Sequence, residues 1–229
     1  MLKVRRFVLG ADEADWVRVW NAVYGERWDY RPMTVEDMRD SERSPDFESQ
    51  GRFIAELDNR PVGIVHAYVD RLREEKKGFV RSFAVVPEVR GQGIEEKLAE
   101  TALQELKNRG MKTIQSGTDE DQKDIIRLWQ SQGFKRVRRF SLMRRDLESV
   151  ESGVGENMDI TLKPIREDVD EDLKTLNWLD NECFKEHFNY RPHPLEQMIY
   201  FVREDPFFRL QDWFFAVLNG ENVGYEARA

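Results

Sequence analysis

The residues best suited to chemistry form a glycine-rich turn, Arg90-Gly91-Gln92-Gly93, between an apolar segment that ends at Pro87 and an amphipathic segment that starts at Ile94. The first N–H groups of a helix lack internal partners and carry the positive end of the helix dipole. Glycines let the backbone approach a ligand without a Cβ, and a proline ends strand pairing, which leaves nearby backbone groups free. The turn therefore predicts a binding site for a ligand that carries a diphosphate.

The spacing of apolar residues predicts the elements that position this turn. Alternating segments predict strands, and apolar residues three and four positions apart predict helices. The predicted order is strand 2–7, helix 12–23, helix 34–41, strands 52–57, 62–70 and 79–86, helix 91–109, strand 112–117, helix 121–130 and a strand pair at 134–145. An antiparallel meander followed by a strand–helix–strand unit predicts an α/β fold with a mixed, mostly antiparallel central sheet flanked by helices.

The C-terminal part of the chain repeats its beginning. A shift of 160 positions places Tyr190-Arg191-Pro192 on Tyr30-Arg31-Pro32 and Leu162-Lys163 on Leu2-Lys3. Further matches between the two segments follow when the alignment is shifted by one more residue. Several matches in register predict a duplication, whose second copy stops before any counterpart of the glycine-rich turn.

We therefore predict a first domain at 1–146, a linker at 147–158 and an incomplete second unit at 159–229. The linker segment is polar, contains glycine and has no periodicity. The second unit corresponds to the N-terminal half of the first domain. Its last strand would leave an unpaired apolar edge, which favours a truncated copy over a natural half-domain.

The segment from Phe83 to Ile94 resembles the acyl-CoA signature of the GCN5-related N-acetyltransferase (GNAT) family, Gln/Arg-x-x-Gly-x-Gly/Ala after a strand that ends Ala-Val-x-Pro. Its spacing fits neither the dinucleotide motif Gly-x-Gly-x-x-Gly nor a P-loop. The element order over residues 1–146 and Gly133-Phe134 agree with that family, and the partial repeat resembles its two-domain members. The resemblance implies a GNAT-like fold with acetyl-CoA as co-substrate.

The resemblance also implies the residues of the site. Main-chain groups of Ala84 and Val85 would bind the pantetheine arm of CoA. The pyrophosphate would be bound by the main-chain amides of Arg90, Gly91, Gln92, Gly93, Ile94 and Glu95.

Two positions depart from the family's pattern. Glu95 stands where Gly or Ala is usual, and we expect its carboxylate to point away from the phosphates. Trp129 stands where many members have a tyrosine that protonates the leaving thiolate.

The reaction implied by the resemblance is direct attack of an amine on the thioester carbonyl, with catalysis by proximity and by polarisation of that carbonyl. A protonated amine cannot attack, so a base is expected. The candidates are His66 and Asp70, with Glu74 and Glu75 beside Asp70. The alternatives are that His66 is a structural residue of its strand, and that Asp70, Glu74 and Glu75 form a solvated charge cluster. Ser131 or water would replace the missing tyrosine.

Composition limits the partners. A net charge of −8 and a pI near 5.2 argue against non-specific nucleic-acid binding. A basic stretch is nevertheless formed by Lys135, Arg136, Arg138, Arg139, Arg144 and Arg145.

No apolar run reaches the roughly 20 residues of a membrane-spanning helix. Cys183 is the only cysteine, so an internal disulfide is excluded. We expect a cytoplasmic protein, and no metal site, because Cys183, His187 and His193 lack zinc spacing.

These observations lead to three functional hypotheses. The first is an N-acetyltransferase that moves an acetyl group from acetyl-CoA to an amine on a small molecule or a peptide, with a homodimer left open. The second is a non-catalytic CoA-binding module with the GNAT fold, which Glu95 and Trp129 favour. The third is a nucleic-acid-binding protein that uses the basic stretch.

Overall fold

The computed structural model describes residues 1–25, 31–143, 159–205, 208, 210 and 213–227, which form two β-sheets with helices. We refer to the residues up to 143 as the first unit and to those from 159 onward as the second unit. The predicted linker at 147–158 lies outside the described residues, so the domain boundaries stay a prediction. Within the described ranges, no helix has the length and apolar content required to cross a membrane.

The first unit contains a five-stranded sheet in the order β1-β2-β3-β4-β5. The strands are β1 (Leu2–Arg6), β2 (Arg52–Leu57), β3 (Arg60–Val69), β4 (Lys77–Val85) and β5 (Thr113–Ser116). Strands β1 to β4 pair antiparallel, and β5 joins β4 in parallel. The helices are α1 (Glu13–Tyr24), α2 (Val35–Ser41), α3 (Ile94–Asn108) and α4 (Lys123–Ser131). This is the mixed, mostly antiparallel sheet that the sequence predicted.

Helix α3 packs closely on the sheet through its apolar face. The residues of this face are at most 1% exposed and are Ile94, Leu98, Ala102 and Leu106. Complete burial of one such leucine stabilises the fold by about 1.5–3 kcal/mol. A Cβ at Gly63 would lie 2.8 Å from the Leu98 side chain, and one at Gly78 would lie 2.6 Å from that of Leu106. The glycines of β3 and β4 therefore permit the close approach of α3 to both strands.

The second unit repeats the first half of this arrangement. Its elements are β6 (Ile160–Pro164), α5 (Asp170–Phe184), α6 (Leu195–Arg203), β7 (Trp213–Leu218) and β8 (Glu221–Ala227). They follow the order strand, helix, helix, strand, strand of the first unit, and β6-β7-β8 form an antiparallel sheet. A separate core lies under this sheet, with Leu173, Leu176 and Phe215 fully buried. The predicted partial second copy of the fold is thus confirmed.

One asparagine in each unit makes the same pair of backbone contacts. The Asn21 side chain donates to the Met33 carbonyl at 2.8 Å and accepts from the Met33 N–H at 3.0 Å. The Asn181 side chain donates to the His193 carbonyl at 3.0 Å and accepts from the His193 N–H at 2.7 Å. Both asparagines hold the entry to the second helix of their unit, so the duplication extends to individual hydrogen bonds.

The alignment of the first strands was wrong by two residues. In the sheets, Val4 pairs with Ala55 and Leu162 pairs with Ala216. Leu162 is therefore the counterpart of Val4 rather than of Leu2. The second unit accommodates the difference with a longer connection, because Asp172 follows Leu162 by ten positions whereas Asp12 follows Val4 by eight.

The predicted strand pair at 134–145 is wrong for the part that the structure describes. Residues 134–143 form no strand, and residues 144 and 145 lie outside the described residues. Several apolar side chains of this segment are strongly exposed, namely Val137, Phe140, Leu142 and Met143. Apolar alternation indicates which face a strand would bury but not which strand would pair with it. No strand within the described residues pairs with this segment.

Candidate functional site

Strands β4 and β5 separate at the centre of the first unit. They pair only from Lys77 opposite Thr113 to Val80 opposite Ser116. Strand β5 ends at Ser116, whereas β4 continues to Val85 with β3 as its partner on one side only. Among the described residues, the other side of this part of β4 therefore lacks a neighbouring strand, which leaves a gap beside β4.

Hydrogen bonding to β3 decides which backbone groups of β4 face the gap. The Val86 N–H donates to the Val62 carbonyl at 2.9 Å. Neighbouring residues of a strand point their backbone groups in opposite directions, so the N–H and carbonyl of Val85 face the gap. A register shift between β3 and β4 accompanies a φ of 49° at Ser82, which marks a bulge on the same strand. Of the two residues predicted to meet the pantetheine arm, Val85 has its backbone on the open side.

The glycine-rich turn follows directly at the end of β4. A short 3₁₀ turn at Pro87–Val89 leads into Gly91 and Gly93, whose φ angles are +72° and +82°. No atom lies within 4 Å of a Cβ built on either glycine, so these positions require glycine for conformation rather than for space. Helix α3 starts at Ile94 and has no side-chain cap. Its first N–H groups thus lack a side-chain cap at the point where the chain leaves β4.

The side chain of Glu95 folds back onto this turn. Its Oε1 accepts a hydrogen bond from the Gly91 N–H at 3.3 Å, and the residue is only 8% exposed. Its Oε2 is buried and has no hydrogen-bond partner among the described residues. The expectation that this carboxylate points away from the phosphate turn is therefore wrong. The positive end of the α3 dipole lies close to this turn and favours an anion there.

A second internal contact lies at the other end of the same site. The exposed Arg90 side chain turns back so that its Nε donates to the Val85 carbonyl at 3.0 Å. This carbonyl is one of the backbone groups that face the gap between β4 and β5. Arg90 of the turn and Glu95 of α3 therefore occupy one acceptor and one donor of the site.

His66 lies on β3 and is buried, with 8% of its surface exposed. Burial lowers the pKa of His66 well below 6.5, and the positive charges of Arg52, Arg81 and Arg109 lower it further. Its Nε2 has no partner among the described residues. The imidazole is thus neutral at neutral pH and holds a proton weakly, so its assignment as a base stays a prediction.

Asp70 contacts the second unit. Its carboxylate accepts from Arg191 Nε at 2.7 Å, and Arg73 Nε lies 3.6 Å away. The side chains of Asp70 and Arg191 are 6% and 10% exposed. Arg73 also donates to the carbonyl of Asn189. Two guanidinium groups therefore hold Asp70, and a role as a base, which stays a prediction, would require these pairs to open.

The region predicted to supply an acid contains an aromatic cluster. The Trp129 ring centroid lies 5.0 Å from those of Phe83 and Phe134, and Trp129 is 5% exposed. Its Nε1 has no hydrogen-bond partner in the described part of the chain. Ser131 is exposed, and its hydroxyl donates to the Leu128 carbonyl at 2.8 Å. Ser131 thus stays a predicted catalytic residue, oriented in this structure toward its own helix.

The described arginines of the basic stretch contact other parts of the chain. Arg136 and Arg139 pair with Glu120. The Arg138 guanidinium lies 5.7 Å from the ring of Phe188 in the second unit. Arg144 and Arg145 lie outside the described residues. These contacts give the described arginines structural partners.

The contact between the two units is the feature that sequence reasoning missed. Tyr190-Arg191-Pro192 was interpreted only as a turn shared by both copies. In the structure, Arg191 also lies 3.5 Å from Asp46, and Gln197 donates to the same carboxylate at 2.7 Å. The repeat of the motif was a visible signal, but its new partners come from a distant part of the chain.

The parallel strands β4 and β5 separate next to an uncapped helix that follows two glycines. Such an α/β arrangement can accept an extended ligand that carries an anionic group. Residues 20–134 match the acetyltransferase (GNAT) family, and the chain belongs to this family. Acetyl-CoA is the co-substrate of the family, in agreement with the predicted co-substrate.

Curated relatives match the first unit. A mycothiol acetyltransferase from Thermomonospora curvata is 30% identical over 133 residues, which cover 58% of this chain and 44% of that protein. A mycothiol acetyltransferase from Streptomyces coelicolor is 30% identical over 137 residues, which cover 58% of this chain and 42% of that protein. The chain thus spans less than half the length of these relatives.

Solved structures show the same fold. A transcriptional regulator from Bacillus halodurans C-125 superposes with a TM-score of 0.50 at 21% identity, which covers 63% of this chain and all of that chain. A protein from Pyrococcus horikoshii OT3 gives a TM-score of 0.50 at 20% identity, which covers 62% of this chain and 93% of that one. At this level of identity the likeness concerns the fold alone.

Proposed function

We propose that the protein is an N-acetyltransferase that moves an acetyl group from acetyl-CoA to an amine on a small molecule. The observation that carries this proposal is the gap between β4 and β5, which opens onto the turn at Gly91–Gly93. A pantetheine arm is an extended chain with amide groups, and it would form strand-like hydrogen bonds with the Val85 backbone on the gap side, where the carbonyl accepts from Arg90 in the free protein. A diphosphate would then lie at the N–H groups that start α3.

The proposed chemistry relies on position rather than on a strong acid. The neutral amine attacks the thioester carbonyl to form the amide bond, and the carbon–sulfur bond breaks to release the CoA thiolate. The nitrogen loses one proton to water or to the thiolate. A thiolate is a stable leaving group near neutral pH, since the pKa of a thiol lies near 8.5. The indole N–H of Trp129 cannot supply a proton but can donate a hydrogen bond. The names of the relatives, which are mycothiol acetyltransferases, support a small-molecule acceptor.

Two measurements test this proposal in sequence. Calorimetry of the full chain with acetyl-CoA should give a Kd below about 1 mM, the weakest binding that supports a specific site. Release of free thiol is then followed across a panel of small amines, amino sugars and peptides. Thiol release that depends on a small amine supports the proposal. Thiol release that depends on peptides alone contradicts the proposed acceptor class.

A non-catalytic CoA-binding module is the second candidate function. Two observations favour it: the Glu95 carboxylate on the Gly91 N–H, and a buried indole at Trp129 in place of an acidic hydroxyl. The same experiment separates the two functions. Binding of acetyl-CoA without thiol release for any amine in the panel would favour the module.

A further inference from the structure

The environment of Glu95 is unusual for a surface turn. The residue is exposed to only 8%, although its neighbours Gly93 and Glu96 are both exposed. One carboxylate oxygen accepts from the Gly91 N–H at 3.3 Å, and the other is buried without a partner in the described residues. A buried carboxylate oxygen without a donor destabilises the fold. This arrangement therefore indicates a role beyond local stability.

The Glu95 carboxylate and a diphosphate would require the same groups. Both are anions that accept hydrogen bonds from backbone N–H groups, and both are attracted to the start of a helix. The Gly91 N–H cannot serve the two fully at once. A carboxylate that stayed in place would also repel the phosphates at short range, where little water screens the charges.

We propose that the Glu95 carboxylate is an internal competitor for the phosphate groups of the CoA co-substrate. It occupies the Gly91 N–H in the free protein and moves away when the diphosphate binds, so the affinity for acetyl-CoA is set by this side chain. The proposal rests on the proposed function, since it assumes that the turn at Gly91–Gly93 binds CoA. It assigns Glu95 as a residue that determines co-substrate affinity.

The test compares acetyl-CoA with S-acetylpantetheine, which carries the same thioester arm but no diphosphate. Calorimetry is performed on the wild-type protein and on the Glu95→Ala, Glu95→Gln and Glu96→Ala variants. Glu96→Ala is the matched control, because Glu96 carries the same charge in the same helical turn but is exposed. We expect Glu95→Ala to bind acetyl-CoA about tenfold more tightly than the wild type, because a like charge at close range is removed. Affinity for S-acetylpantetheine should stay unchanged.

The possible outcomes are distinct. Tighter acetyl-CoA binding by both Glu95 variants, with the Glu96→Ala variant like the wild type, supports the proposal. Equal acetyl-CoA affinity of all four proteins overturns the proposal for Glu95. Weaker acetyl-CoA binding by the Glu95 variants overturns it as well. Both results leave the proposed function intact. If Glu96→Ala gains as much affinity for acetyl-CoA as the Glu95 variants, the effect is due to the general negative charge of the helix. This result also overturns the proposal for Glu95. If no protein binds acetyl-CoA at millimolar concentration, the proposed function itself fails. Glu95→Gln keeps the shape of the side chain and guards against misfolding of Glu95→Ala.

Discussion

The Arg191 side chain of the second unit donates a 2.7 Å hydrogen bond to the Asp70 carboxylate of the first unit. The two residues lie 121 positions apart in the chain. Both side chains are at most 10% exposed, so this is a buried charge pair. The pair joins the end of β3, at the edge of the loop toward β4, to the turn that precedes α6. The partial second unit thus contacts the loop that follows β3 in the first unit.

Removal of one partner of this pair should destabilise the fold. We expect Arg191→Ala to lower the free energy of unfolding by about 3 kcal/mol, because the buried Asp70 carboxylate loses its hydrogen-bonded guanidinium partner and keeps the more distant Arg73 at 3.6 Å. Urea denaturation followed by tryptophan fluorescence measures this change. Arg127→Ala is the control, since Arg127 forms an exposed pair with Asp124, and it should change the free energy by less than about 0.5 kcal/mol. A similar loss in both variants would contradict a buried pair.

His66 should make stability depend on pH. Its pKa lies well below 6.5 in the folded protein because of burial and neighbouring arginines, so the unfolded chain takes up the proton first. The contribution of neutral His66 to the free energy of unfolding is therefore complete above pH 6.5. It is lost as the pH falls toward the pKa of His66 in the folded protein. Below 6.5, the free energy of unfolding should fall by up to about 1.4 kcal/mol per pH unit from this group.

The pH prediction is measured by urea denaturation of the wild type and of His66→Gln at about pH 7.5 and about pH 5.5. The variant should have a smaller loss of stability between these values. His187→Gln removes an exposed histidine and is the control for the loss of any histidine. An unchanged pH dependence in His66→Gln would show that this imidazole does not control the effect.

The glycine-rich turn can be tested with two glycines of similar geometry. Gly93 and Gly110 have φ angles of +82° and +76°, and a Cβ at either meets no atom within 4 Å. Replacement by alanine should cost about 1–2 kcal/mol at each position, because both backbones are left-handed. Only Gly93→Ala should also weaken acetyl-CoA binding, by about tenfold, since it displaces the N–H groups at the start of α3. Thermal denaturation and calorimetry separate the two effects. Equal affinities of the two variants for acetyl-CoA would contradict this site.

The two equivalent asparagines should contribute equally to stability. Asn21→Ala and Asn181→Ala each leave a backbone N–H and a carbonyl without the side-chain partner that holds them. We expect a loss of about 1–2 kcal/mol in each case. Asn108→Ala, which removes only an exposed bond to Gln104, is the control. A loss confined to one unit in denaturation measurements would argue against equivalent roles.

The sequence alone determined the features that depend on local spacing. The turn at Gly91–Gly93, the apolar face of α3 and the order of the elements follow from residue types a few positions apart, because backbone geometry and helix period are local properties. The duplication was visible for the same reason, although its first strand was aligned two residues away from the register that sheet pairing fixes.

Tertiary structure decided which partner each polar side chain has. Asp70 looked like a solvated carboxylate until the distant Arg191 contacted it, and no local pattern encodes a contact over 121 positions. Glu95 was expected to point away from the turn, but a side-chain rotamer depends on the surrounding packing and field, which placed its carboxylate on the Gly91 N–H. The apolar alternation at 134–143 likewise could not specify a partner strand, since pairing is a long-range property of the sheet.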